Sequence, residues 1–103
     1  MNDDQRRELA RAGWAIHGAV EEAYLRHPAT RGDPDAWQDK QRLLLADMAI
    51  HLLQTAIRPG GIELEQLKHN LHAILTISDG FLPHAELKMA TEKLYSGTDG
   101  SPA

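Results

Sequence analysis

The chain contains no cysteine among its 103 residues. Disulfides and thiolate metal sites are therefore excluded, and any metal would have to be held by His, Asp or Glu. Aromatic residues are few: two Trp, two Tyr and one Phe. No apolar run reaches the length of a membrane span. The first residues, "MNDDQRREL", have no apolar segment of the kind a secretory signal requires. These features lead us to expect a cytoplasmic protein with no membrane association. Basic surplus is lacking too. The formal net charge is −4, and the densest basic group is only Arg6, Arg7 and Arg11. Nucleic acid is not an expected partner, because a phosphate footprint needs a basic face.

What is present is helical periodicity. Apolar residues make up 42% of the chain, enough for a folded domain rather than a disordered one. Glycine and proline divide it into four segments. The first spans about Asp4 to Arg26, with Leu9, Ala12, Ile16, Val20 and Ala23 recurring at spacings of three and four as the inner stripe. His27-Pro28 ends it, since the residue before proline leaves the α region. Asp33 is an N-cap candidate for the second segment and Pro34 suits its first position. That helix is expected to run to "RPGG", at Ile57 or Arg58. The third spans about Ile62 to Ser78, with Leu64, Leu67, Leu71, Ile74 and Ser78 inward and Gly80 as a left-handed cap. The fourth is short, about Pro83 to Tyr95, with Leu87, Ala90 and Leu94 on one face and Gly97 as its cap. The expected fold is all-α: a small antiparallel bundle of four helices, two long and two shorter, forming one domain over residues 1–96. A disordered tail is expected over residues 97–103.

Two helices are too apolar for such a small bundle. The run "LLLADMAIHLLQTAI", Leu43 to Ile57, is apolar around most of its circumference, and only Asp47, His51, Gln54 and Arg58 form a polar strip. Three other helices can hardly cover it. Part of its surface is expected to meet a second subunit or another protein, which makes a homodimer the expected state. The stretch "RAGWAIHGAVEE" shows a related surplus. Trp14, Gly18 and Leu25 fall roughly opposite the Ile16 stripe at about 100° per residue. Gly13 lies nearer the inner side, where it allows close helix approach together with Ala12. Gly18 leaves a notch beside Trp14.

No catalytic motif is present: no P-loop, GxSxG, GxGxxG, HExxH or paired ExxH. Glu65, His69 and His72 share one face of the third helix and are weak metal-ligand candidates, with no second helix recruited. Asp47 and His51, one turn apart, read as a structural hydrogen-bonded pair bordering an interface. His17, one turn before Glu21, is expected at the surface. A helix–turn–helix DNA reader would place an acidic helix against phosphate, which disfavours it. The expected function is that of a small regulatory protein without a cofactor and without enzymatic activity. It would block or modulate a protein partner sterically, for example as an anti-activator or inhibitor of a transcription regulator. The expected anchors are Trp14, Gly18, Leu25, Leu45, Leu52, Leu53 and Ile57. A small metal-binding or carboxylate/histidine-dependent enzyme is the alternative, and the DNA reader a second one.

Overall fold

The computed structural model describes residues 1–96; the expected disordered tail over residues 97–103 and the Gly97 cap lie outside the described residues. The chain is all-helical over that range, with α1 (Asp3–Arg26), α2 (Pro34–Ile57), α3 (Leu64–Asp79) and α4 (Leu87–Ser96). Local sequence sets the ends. Asn2 caps α1 through a reciprocal box: its side chain accepts from Gln5 N at 2.8 Å, and Gln5 returns a bond to Asn2 N at 2.9 Å. Asp33 caps α2 by accepting from Ala36 N at 3.3 Å, with Pro34 at the start of the helix. Two boundaries fall later than the periodicity suggested. α3 starts at Leu64 rather than Ile62, and α4 at Leu87 rather than Pro83. Gly80 is right-handed, with φ −66°, so it is not the left-handed cap expected of it. Among the described residues the left-handed positions are Gly60 (φ 90°), which turns the chain between α2 and α3, and Glu86 (φ 55°) at the entry to α4.

Among the described residues each helix packs only on its neighbours in sequence: α1 on α2, α2 on α3, α3 on α4. The result is an open row, and its dimensions agree. The Cα radius of gyration is 16.0 Å, against about 13 Å for a compact domain of this length. The accessible surface, 7197 Å², exceeds that of a compact monomer of 11.4 kDa by more than ~1,000 Å².

The fully buried side chains at the helix seams are polar, with apolar side chains of α2 and α3 half-buried around them. Among the described residues no apolar side chain is buried, while Asp47, Gln54, Thr55, Asn70 and Thr91 are. Gly13 is the buried residue of α1. On α1 the half-buried or buried positions are Arg6, Ala10, Gly13, His17, Val20 and Tyr24, spaced three and four apart. This corrects the expected inner stripe of α1. Leu9, Ala12, Ile16 and Ala23 are exposed, and of that set only Val20 is half-buried. The reason lies in α2. Its polar strip, not its apolar arc, provides the groove that accepts α1. Gln54 lies over Gly13 and donates to Ala10 O at 2.9 Å. Arg6 donates to Ile57 O at 3.2 Å, supplying the cation that the last turn of α2 lacks. Lys40 Nζ lies 4.9 Å from the centre of the Tyr24 ring, and His27 Nε2 lies 3.0 Å from Asp39 Oδ2. The α2–α3 seam holds a buried hydrogen bond from Thr55 Oγ1 to Asn70 Oδ1.

The two glycines of α1 thus occupy opposite environments, and their alanine variants should differ in sign. A Cβ on Gly13 would press into the Gln54 amide, whereas one on Gly18 meets nothing within 4 Å. Gly18→Ala should stabilise by about 0.5–1 kcal/mol, the usual helix-interior gain. Gly13→Ala should instead destabilise by about 1–3 kcal/mol, because the overpacking displaces a buried bond. Urea melts of the two variants beside the wild type measure both changes.

Candidate functional site: a histidine–aspartate cluster on the α1–α2 seam

Two turns of helix, one from each side of the seam, bring four functional side chains together. α1 contributes His17 and Glu21, and α2 contributes Asp47 and His51; each pair is separated by four residues and so shares a helix face. The Gly13–Gln54 contact, one turn earlier on α1, sets the close approach that lets them meet.

The geometry centres on His17 Nε2. It lies 3.1 Å from His51 Nε2, 3.1 Å from Asp47 Oδ1 and 3.5 Å from Glu21 Oε2. His51 Nε2 is 4.0 Å from Asp47 Oδ2. A ring nitrogen has one direction in which to donate or accept. It cannot serve three neighbours at once, and the hydrogen-bonding geometry goes to His51. Asp47 Oδ1 has an ion-pair distance to His17 but not the direction of a hydrogen bond, and it is a buried oxygen without a hydrogen-bond partner. Asp47 itself is only 6% exposed. Among the described residues, His17, Asp47 and His51 are the group of His, Asp and Glu side chains whose donor atoms converge as metal ligands do.

Trp14 walls one side. Its ring stands edge-on to both imidazoles, with centroids 5.2 Å from His17 and 5.7 Å from His51. The indole remains 48% exposed. Beyond it a shallow groove of about 420 Å³ opens between α1 and the end of α2, lined by Trp14 with Arg7, Arg11 and Arg58.

Of the anticipated anchors, Leu25 is 68% exposed near the end of α1, and Gly18 is exposed with open space above it. Leu53 is exposed beside the seam, while Leu45, Leu52 and Ile57 are half-buried. Trp14 does not lie under α4, which touches only α3 among the described residues. Glu65 pairs with Lys68 at 3.3 Å, and His69 and His72 lie against the Tyr95 ring of α4, centroids 6.3 and 5.5 Å away. The surface position expected for His17 is corrected: its side chain is 17% exposed, because the seam closes over it. The missed feature was the meeting of His17 with Asp47 and His51. The signal for it was present as two pairs with i,i+4 spacing, His17/Glu21 and Asp47/His51, each at a polar point of its helix.

Comparison with known proteins returned no matching family, no similar curated protein and no similar solved structure. The class defined by the fold is therefore that of an all-α protein, a row of four helices with a histidine–carboxylate cluster on its first seam. No helix among the described residues is long and apolar enough to cross a membrane.

Trp14 partly covers the cluster but is itself half open. In dilute solution, where only the chain's own contacts count, Trp14→Ala should cost about 1–2 kcal/mol in a urea melt, below the 3–5 kcal/mol typical of an aromatic truncated in a closed core. A loss in the upper range would mean that the indole is covered on both faces in solution.

Proposed function

We propose that this chain is a small binding protein that completes its own fold with a second protein layer, and that the layer it meets first is a second copy of itself. One observation carries the reading: every fully buried side chain is polar among the described residues, while several large apolar side chains stay exposed. Leu9, Trp14, Ile16, Leu25, Leu53 and Met89 are each more than 40% exposed. A helical layer is stable when its apolar surface packs against another layer, and hydrophobic burial is the main favourable term in such packing. The surplus of more than ~1,000 Å² per chain matches what an obligate homodimer removes from each protomer. In this reading each chain is half of an antiparallel bundle.

The same surface suits action on a different protein. Trp14 beside its arginine-lined groove, the Gly18 notch, Leu25, and the outer arc of α2 (Leu45, Leu52, Leu53, Ile57) would serve as anchors. An indole next to arginines is the composition that binding hot spots favour. The mode of action would be steric, as for a cytoplasmic inhibitor or anti-activator that covers the surface its target uses for assembly.

Sedimentation equilibrium at micromolar concentration tests the first step. A dimer mass is expected, and Ile16→Asp or Leu53→Asp should shift the chain to monomer. A helical monomer at every concentration, unchanged by both substitutions, would contradict the reading.

A further inference from the structure

We propose that the α1–α2 seam holds a divalent transition-metal site, zinc being the best-matched ion, with His17 Nε2, His51 Nε2 and the Asp47 carboxylate as ligands. This goes beyond protein binding and does not depend on it. The Glu21 carboxylate lies 3.5 Å from His17 Nε2, at the edge of this group.

The distances support the assignment. Zinc bonds to imidazole nitrogen and carboxylate oxygen at about 2.0–2.2 Å, so the ligand atoms of a tetrahedral site lie roughly 3.3–3.6 Å from one another. His17 Nε2 lies 3.1 Å from both His51 Nε2 and Asp47 Oδ1, and His51 Nε2 lies 4.0 Å from Asp47 Oδ2. The donor atoms of His17, Asp47 and His51, all within 4.8 Å of one another, are therefore near ligand spacing without any change in backbone position. The donor set is also the right kind. Imidazole with carboxylate suits zinc and related borderline ions, and metal sites in helical proteins are commonly assembled from side chains on facing helices.

The protein's own hydrogen bonding leaves the cluster incomplete. Asp47 is more than nine-tenths buried, yet its Oδ1 faces the imidazoles without a hydrogen bond. A buried carboxylate oxygen without a partner is costly and calls for an explanation. A cation held between Asp47 and the two Nε2 atoms would satisfy it. The ion would take the lone pairs of both imidazoles, relieving the three-way competition at His17. Asp47 would balance one of its two charges, with the Glu21 carboxylate 3.5 Å from His17 Nε2 as the next nearest anion. Because the ligands come from both helices, the ion would clamp α1 to α2 beside Trp14, whose ring stands nearly perpendicular to both imidazoles at 5.2 and 5.7 Å between centroids.

The test uses the full chain, stripped with chelator and titrated with zinc chloride. Calorimetry should give one zinc per chain, Trp fluorescence should change in step with it, and Tm should rise by roughly 10 °C at a hundredfold excess over Kd. His17→Ala and His51→Gln should each weaken zinc binding by on the order of 100-fold, the share of one ligand in a typical site. Asp47→Asn should weaken it as well. A His69→Ala/His72→Ala double variant should bind as the wild type does. Wild-type NMR gives a readout independent of variant folding: the imidazole C–H signals of His17 and His51 should move on adding zinc, while those of His27, His69, His72 and His84 stay. The proposal is overturned if zinc leaves all six histidines unmoved, if the signals that move belong to His69 and His72, or if helical His17→Ala and His51→Gln proteins bind as tightly as the wild type.

Discussion

The contact on which the rest of this structure depends is the seating of the Gln54 side chain on Gly13. With no Cβ at Gly13, the amide of Gln54 reaches Ala10 O across the seam. That single approach fixes where α2 lies along α1. The same register places Arg6 against the last carbonyls of α2 and His27 against Asp39. It also drops His17 between Asp47 and His51. A slide by one helical turn, about 5.4 Å, would separate the cluster entirely.

A seam made this way has a consequence for the rest of the surface. Each buried hydrogen bond contributes only about 1 kcal/mol net, less than the 1.5–3 kcal/mol of one fully buried Leu or Ile. The polar strip of α2 gives register and specificity, and it occupies the side of the helix that would otherwise have been packed with leucine. The Leu9–Ile16 stripe of α1 is left facing outward, and Leu53 stays exposed on α2. Thr55 with Asn70 repeats the pattern at the next seam, and Thr91 is the buried residue of α4. Apolar surface is thus available for a second layer along much of the row.

The sequence made much of the helix pattern legible, because capping and breaking are local. Asp33-Pro34 starts α2 and "RPGG" ends it, as their chemistry requires. Gly13 was legible as a point of close approach, and Gly18 as an open notch. The orientation of α1 was not. Leu9, Ala12, Ile16, Val20 and Ala23 form the cleaner apolar stripe, and periodicity marks the face that avoids water without saying whose surface covers it. In this chain the intramolecular contact goes to Arg6, Ala10, Gly13, His17, Val20 and Tyr24, a stripe of mostly small and polar residues that hydrophobicity does not detect. The cluster was hidden for the same reason. Its two i,i+4 pairs were each visible, but pairing them needed the register, and the register is set by a glycine and a glutamine.

The central claim is that polar seams lie inside the chain while apolar faces are covered from outside it. The most direct measurement is methyl NMR with a soluble paramagnetic probe, on Leu9, Ile16, Leu25 and Leu53, across a dilution series. The account predicts methyls shielded in concentrated protein that become accessible as the assembly dissociates, while the Gln54 side-chain amide stays protected throughout. Shielded Leu9 and Ile16 methyls in a species of monomer mass would contradict it, because the chain would then be burying that stripe within itself.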